Sequence, residues 1–217
     1  MKENIIRHVL EHKIIAIVRG LERETILKTA EALMNGGVTC MEITYDAAHP
    51  ETHEETAETI RLLCEHFADR LKIGAGTVLT PKQVLMTKEA GGSYIISPNV
   101  NEAVIQKTVD LGLVSMPGAL TPTECEAAHR FGADFVKVFP VGAMGAGYIK
   151  DLVAPLSQIR FLAVGGVTAE NLGAFLQAGA VGAGISSDLI NKKAILSDDF
   201  AAITQRAKQY VQAASQR

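Results

Sequence analysis

Eight short apolar runs alternate along this chain with segments of helical periodicity, and this alternation restricts the possible folds more than any other feature. Each run is nearly continuous in apolar character and is bounded by Gly, Pro, Asp or Asn, which is typical of parallel strands covered on both faces. The runs span residues 14–18, 38–44, 71–78, 93–97, 113–118, 134–140, 160–166 and 180–186. The helical segments span residues 22–36, 51–69, 81–90, 100–111, 122–132, 145–157, 169–178 and 198–214.

Strands that alternate in this way with helices predict an α/β fold: a single (β/α)8 TIM barrel over residues 1–217, with an N-terminal helix over the amphipathic start of the chain. Thr80 and Thr121 support the helix starts, because each is a capping residue followed by a proline at the first helical position. An open, doubly wound sheet is the alternative, since periodicity does not show whether the first and eighth strands meet.

Composition and charge exclude several classes of function. The net charge of -3, without a stripe of Lys or Arg, argues against nucleic acid or anionic lipid as a partner. No apolar run approaches the roughly 20 residues that span a bilayer, and the charged start of the chain is not typical of a signal peptide. Three cysteines without CxxC spacing suggest neither a disulfide framework nor a zinc site, so a cytoplasmic location is expected.

Reacting groups in such a barrel occupy the carboxyl ends of the strands and the loops that follow. Lys137 interrupts the apolar run Phe135–Phe139, where alternation makes it point away from the side of its two valine neighbours. A lysine held among apolar side chains loses solvation, so its pKa falls and a neutral amine becomes available to attack a carbonyl. The alternative is a structural lysine that pairs with a carboxylate at the strand end.

Glu42 is the second polar outlier in an apolar run, on a different strand from Lys137. A carboxylate beside an iminium carbon can remove a proton from a substrate hydroxyl and return one to the enamine carbon. The alternative is an ion pair with Lys137 or Arg19, which is compatible with a later acid/base role. Arg19 itself closes the first strand, where it can clamp a carboxylate or phosphate or make a surface ion pair.

Two glycine-rich strand ends resemble the phosphate site that barrels form after their last two strands. Gly165 and Gly166 precede one predicted helix, and Gly182-Ala183-Gly184 precede Ser186 and Ser187. Exposed backbone N–H groups at such ends attract anions, although the glycines can equally serve only to permit tight turns. The acids and histidines of residues 45–54 lack the paired spacing of a metal site, so no metal is expected.

The motifs of the chain resemble, in order, those of the class I 2-keto-3-deoxy-6-phosphogluconate / 4-hydroxy-2-oxoglutarate aldolases. They are residues 15–20 (IAIVRG), 42–44 (EIT), 74–78 (GAGTV), 96–98 (ISP), 117–118 (PG) with 121–124 (TPTE), 135–140 (FVKVFP) and 165–167 (GGV). The resemblance covers nearly the whole chain, and seven motifs in register are specific where any single one is weak.

The resemblance implies that Lys137 is the Schiff-base lysine, that Glu42 transfers protons and that Thr77 contacts the pyruvate moiety. Gly165, Gly166 and Ser187 match the site of the distal phosphate. Arg19, Pro98 and Val164 complete the expected substrate-binding residues, although Pro98 also simply shapes the loop after its strand. The implied reaction is the reversible cleavage of a 4-hydroxy-2-oxo acid into pyruvate and an aldehyde, without a metal or cofactor, by a homotrimer that acts on a small-molecule substrate.

Two positions depart from the family pattern. Asp46 stands where the family commonly has an arginine for the pyruvate carboxylate, so another donor such as Arg19 must take that place. Val164 stands where a threonine often influences stereochemistry at C4, so a hydrogen bond to the substrate is lost. Two rival functions follow from the same residues. One is a phosphate-binding isomerase or epimerase with Glu42 as base, and the other is a sugar-phosphate binder without catalysis.

Overall fold

A closed barrel of parallel strands forms the centre of the computed structural model, which describes residues 2–215. The strands are β1 (Ile14–Val18), β2 (Cys40–Thr44), β3 (Lys72–Gly76), β4 (Tyr94–Ile96), β5 (Val114–Met116), β6 (Gly118–Ala119), β7 (Val136–Val138), β8 (Phe161–Val164) and β9 (Gly182–Ile185). All paired strands are parallel, and β1 pairs with both β2 and β9. The first and last strands therefore meet, which confirms the predicted barrel and excludes the open doubly wound sheet.

The fifth strand of the barrel is divided into β5 and β6 at Pro117. β5 pairs with β4 on one side, and β6 pairs with β7 on the other. Proline has no N–H to donate to a ladder, but its carbonyl still accepts a hydrogen bond of 2.9 Å from the backbone N of Lys137. The nine strand segments thus make up the eight strands expected from the sequence.

Helices surround the barrel, and the N-terminal helix closes its amino end. They are α1 (Lys2–His12), α2 (Arg23–Asn35), α3 (His53–Phe67), α4 (Pro81–Glu89), α5 (Glu102–Asp110), α6 (Pro122–Arg130), α7 (Gly145–Val153), α8 (Leu172–Gln177), α9 (Lys192–Leu196) and α10 (Phe200–Ser215). Thr80 and Thr121 cap their helices, as predicted, and each also forms a capping box with the side chain three residues later. The short α9 was not predicted, because its five residues are too few to show periodicity. None of the helices described between residues 2 and 215 could span a membrane.

The apolar core has two layers because strand side chains alternate between the inside and the outside of the barrel. The inner layer includes Ile15, Tyr94, Phe135 and Leu162, and the outer layer packs between the strands and the helices. Ile5, Ile6 and Val9 of the N-terminal helix α1 join the inner layer. An ion pair of 3.0 Å between Lys2 and Asp134, which precedes β7, places α1 at the amino ends of the strands. That end is covered by α1, so a site belongs at the carboxyl ends.

Candidate active site

Lys137 of β7 and Glu42 of β2 both point into the barrel. Their strand neighbours Val136, Val138, Met41 and Ile43 belong to the outer layer of the core, so alternation directs the two charged side chains inward. Lys137 is 7% exposed and Glu42 is 1% exposed. Lys137 and Glu42, which were predicted to lie on different strands, therefore share one buried space.

Burial controls the protonation of both groups. It lowers the pKa of Lys137 from its usual value, against the opposing effect of Glu42 and with a further lowering by the Arg19 cation. Burial also raises the pKa of Glu42, while Lys137 and Arg19 act in the opposite direction. Burial thus shifts each pKa towards the uncharged form, and the opposite charge of the partner shifts it back. Such a pair can exchange protons with a bound molecule.

Neither Lys137 nor Glu42 forms a close ion pair with another described residue. Among the ion pairs found within residues 2–215, none joins Lys137, Glu42 or Arg19 at 4.0 Å or less. In the same part of the chain, Glu42 Oε2 is a buried side-chain oxygen without a hydrogen-bond partner. Buried polar atoms in proteins are rarely left unsatisfied, and exceptions are associated with functional sites. The predicted alternative, a direct ion pair between the two residues, is not what this structure contains.

Gly76 provides the space that Glu42 occupies. A Cβ atom at Gly76 would lie 1.6 Å from Glu42 Oε1, so no other residue fits without moving the carboxylate. Glycine at the end of β3 is therefore required by the neighbouring strand rather than by its own backbone. In the sequence, Gly76 was visible only as part of the motif of residues 74–78, and the motif did not show why a glycine is needed there.

Arg19 and Thr77 meet at the rim of the barrel, above the ends of β1 and β3. Arg19 Nη1 donates to Thr77 Oγ1 across 3.5 Å. Thr77 has a φ of 54°, which is unusual for a β-branched residue and turns its side chain at the end of the strand. The two residues form a polar pair that can receive a carboxylate.

The aromatic ring of Phe139 lies against the amine of Lys137. The ring centroid lies 4.9 Å from Lys137 Nζ, and the residue is 38% exposed at the mouth of the barrel. A Cβ at Gly165 would lie 3.2 Å from this ring, so the phenyl group sits between the lysine and the loop after β8. The sequence pattern did not single out Phe139, although alternation along residues 135–139 places it on the same face as Lys137.

The glycines after β8 adopt conformations that favour glycine. Gly165 and Gly166 have φ values of 88° and 78°, so a turn requirement accounts for both. Val164 pairs in register with Gly184 of β9, which places the loop after β8 beside the turn that contains Ser187. The structure thus brings Gly165, Gly166 and Ser187 to adjacent loops. Val164 faces the inner layer of the barrel and is 5% exposed.

Pro98 follows β4 and packs against the interrupted fifth strand. A Cβ at Gly118 would lie 2.5 Å from the carbonyl oxygen of Pro98, so the two segments are in close contact. Ser97 donates a hydrogen bond of 2.7 Å to the carbonyl of Val78 and fixes the same strand end. These contacts agree with a loop-shaping role for Pro98.

A cleft of about 890 Å³ borders the site on the side of β1, β2 and α3. Arg19, Thr44, Asp46 and Thr77 line it, whereas Lys137 and Glu42 lie deeper in the barrel and do not. Asp46 uses its side chain locally: it accepts from Ala48 N at 2.9 Å and pairs with His49 Nδ1 at 2.9 Å. The carboxylate of Asp46 is thus satisfied within its own turn.

A model of the family described as "Aldolase: KDPG and KHG aldolase" matches residues 5–206 of the chain. The chain belongs to this family. Its members are aldolases, which are lyases, and a relative described below is named as a 2-dehydro-3-deoxy-phosphogluconate aldolase. The family and the class of enzyme predicted from the sequence motifs are therefore confirmed.

Curated relatives carry both phosphogalactonate and phosphogluconate names. The chain is 39% identical to the 2-dehydro-3-deoxy-6-phosphogalactonate aldolase of Escherichia coli (strain K12), over 81% of this chain and 83% of the relative. It is 33% identical to the 2-dehydro-3-deoxy-phosphogluconate aldolase of Treponema pallidum (strain Nichols), over 92% of each chain. Both alignments extend over most of the barrel.

A solved structure of the family contains trapped pyruvate. It is the KDPG aldolase of Legionella pneumophila, described with pyruvate captured at low pH as a covalent carbinolamine intermediate. This chain matches it with a TM-score of 0.83 and 26% identity, over 94% of this chain and 96% of that one. The fold of the KDPG and KHG aldolases is thus shared along nearly the whole chain.

Proposed function

We propose that this protein is a class I aldolase that cleaves a phosphorylated 2-keto-3-deoxy sugar acid to pyruvate and an aldehyde, through a Schiff base on Lys137. The observation that carries the proposal is the state of Lys137. It is buried, it has no ion-pair partner within 4.0 Å among the described residues, and its pKa is lowered by burial. A neutral amine inside the barrel is the requirement for attack on a keto group.

In the proposed mechanism, Lys137 Nζ adds to the C2 carbonyl, and the carbinolamine loses water to form a protonated iminium. Glu42 accepts the proton of the C4 hydroxyl as the C3–C4 bond breaks, and the bonding electrons move to the iminium to form an enamine. The aldehyde leaves, Glu42 returns a proton to C3, and water releases pyruvate from Lys137. The iminium is the electron sink, so these steps need no metal or cofactor.

The remaining site residues are proposed to hold the two ends of the substrate. Arg19 and Thr77 receive the carboxylate, since their side chains already meet at the rim of the barrel. Gly165, Gly166 and Ser187 hold the phosphate on the adjacent loops after β8 and β9. Pro98 and Val164 contribute to the walls between these ends.

The proposed substrate is the phosphogalactonate derivative rather than its phosphogluconate epimer. Val164 offers no hydroxyl to the substrate, and the relative named for phosphogalactonate is more similar to this chain than the one named for phosphogluconate, at 39% against 33% identity. Val164→Thr is expected to reduce the preference for the phosphogalactonate derivative, measured as its kcat/KM divided by that of the phosphogluconate epimer, on the order of ten-fold. Equal turnover of both epimers by the wild type would contradict the preference and favour a relaxed site.

Trapping with borohydride tests the mechanism directly. The protein is treated with pyruvate and sodium borohydride and its mass is measured, with Lys137→Met and Lys72→Met as the variant and its matched control. Lys72 is a suitable control because it is a lysine of β3 that bonds to Asp69 outside the site. We expect one pyruvate adduct in the wild type and in Lys72→Met, and none in Lys137→Met. If none of the three proteins formed an adduct, the Schiff-base mechanism would be contradicted, and an isomerase with Glu42 as base would be favoured.

The family resemblance also supports a homotrimer, which we propose as the assembly in solution. Light scattering coupled to size-exclusion chromatography would give three times the mass of one chain. A monomer under the conditions of the activity assay would contradict the proposal. A cytoplasmic location stays a prediction from the unpaired cysteines.

A further inference from the structure

One helix supports both loops of the proposed phosphate site from behind. The β8 loop (residues 165–171) contains Gly165 and Gly166, and the β9 loop (residues 186–190) contains Ser187. Arg206 and Tyr210 of α10 face these loops one turn apart. Neither residue belongs to a sequence motif of the family resemblance.

The β9 loop is held through Asp188, the residue directly after Ser187. Asp188 Oδ2 accepts hydrogen bonds from Arg206 Nε at 3.0 Å and Nη2 at 2.6 Å. The same oxygen accepts a short hydrogen bond from the hydroxyl of Tyr210. Three donors on one helix thus converge on a single carboxylate oxygen.

The β8 loop is held by the same two side chains. Arg206 Nη1 and Nη2 donate to the two carboxylate oxygens of Glu170 at 3.0 and 3.3 Å. The hydroxyl of Tyr210 also lies 3.3 Å from the carbonyl oxygen of Val167, the residue after Gly166. Tyr210 is fully buried, with 0% exposure, so its position is set by packing. Each of the two side chains therefore bridges the β8 loop and the β9 loop.

We infer that Arg206 and Tyr210 are positioning residues for phosphate binding: they set the spacing of the β8 and β9 loops, and the inference rests on the proposed function. Donors on two separate loops can hold one phosphate only when their separation matches the anion. Arg206 also compensates two carboxylates, Asp188 and Glu170, that would otherwise repel a phosphate beside them. Its planar fork suits this task because it contacts both acids at once.

Two independent readouts separate phosphate binding from general damage. The first is the KM for the phosphorylated sugar acid. The second is the exchange of the methyl protons of pyruvate with deuterated water, which in the proposed mechanism uses Lys137 and Glu42 but no phosphate. The variants are Arg206→Met and Tyr210→Phe. The matched controls are Arg61→Met, at an exposed pair with Glu58, and Tyr45→Phe, at a buried hydroxyl near Thr87.

We expect KM to rise on the order of ten-fold in Arg206→Met, and less in Tyr210→Phe, while the exchange rate stays at the wild-type value in both. Arg206→Lys keeps the charge and loses the fork, so its KM should lie between those of the wild type and Arg206→Met, which tests the inference even if the methionine variant folds poorly. An unchanged KM, or a loss of exchange in parallel with the loss of cleavage, would overturn the positioning role. A wild type without exchange or adduct would instead overturn the proposed function, and this inference with it.

Discussion

Two charged clusters lie at the carboxyl end of this barrel, and they differ in how their charges are satisfied. Around Arg206, every guanidinium N–H has an acceptor: two carboxylates accept four hydrogen bonds of 2.6 to 3.3 Å, and Gln209 accepts the fifth. Lys137 and Glu42 are buried but form no ion pair within 4.0 Å, and Oε2 of Glu42 has no hydrogen-bond partner among the described residues. Satisfied charges hold loops in place, whereas unsatisfied buried charges remain available for chemistry.

The pKa shifts follow the same difference. Hydrogen bonds from Arg206 hold the pKa of Glu170 down to about 2, so that carboxylate is ionised at neutral pH. Burial acts the other way on Glu42 and raises its pKa. One acid therefore has a constant charge, and the other can gain and lose a proton during a reaction.

Replacing the unsatisfied acid should have the largest effect. Glu42→Gln keeps the size of the side chain but removes its ability to transfer protons, so kcat for cleavage should fall about 10²- to 10⁴-fold. The exchange of pyruvate methyl protons should fall with it, whereas the borohydride adduct on Lys137 should still form. Glu170→Gln in the satisfied cluster is the control and should leave exchange unchanged. Normal exchange in Glu42→Gln would show that another group moves the proton.

The space beside Glu42 gives a second test, with an intermediate effect. Gly76→Ala places a Cβ where Glu42 Oε1 now lies, so the carboxylate must move, and kcat should fall about 100-fold through misplacement alone. Gly147→Ala is the matched control, because no atom lies within 4 Å of its added Cβ and the residue is in helix α7. The control should keep full activity. Equal activity of both variants would mean that the observed position of Glu42 is not needed for catalysis.

Much of this arrangement could be predicted from the sequence, because its signals are local. A polar residue inside an apolar strand is visible without a structure, and Lys137 and Glu42 were found in that way. The strand count was also correct, although the run 71–78 is longer than β3 because Thr77 leaves the strand with a positive φ. Nothing in a threonine indicates that conformation.

Two contacts between distant parts of the chain could not be predicted. Gly76 was part of a motif, but only the distance to Glu42 on the neighbouring strand shows why a side chain is excluded there. The Arg206 cluster joins residues 18 and 36 positions apart, and an arginine on an exposed helix normally suggests only a surface charge. Such roles depend on packing, which residue types and their spacing do not specify.

The smallest expected effect is a shift along the pH axis, and its sign distinguishes the two clusters. Only neutral Lys137 can attack pyruvate, so adduct formation rises with pH through the pKa of that lysine. Arg19 lowers this pKa and Glu42 raises it. Arg19→Met should therefore move the midpoint of adduct formation to higher pH, and Glu42→Gln should move it to lower pH, although each variant removes one charge.

The midpoint is measured by mass spectrometry of borohydride-trapped protein at saturating pyruvate, since Arg19 is also proposed to bind the carboxylate. Arg206→Met is the control from the satisfied cluster and should leave the midpoint where it is in the wild type. If the midpoints of Arg19→Met and Glu42→Gln shifted in the same direction, a change in structure, and not the removed charge, would account for the altered pKa of Lys137. Opposite movements, with none in the control, would show that the unpaired charges inside the barrel tune Lys137 while the hydrogen-bonded charges behind the loops do not.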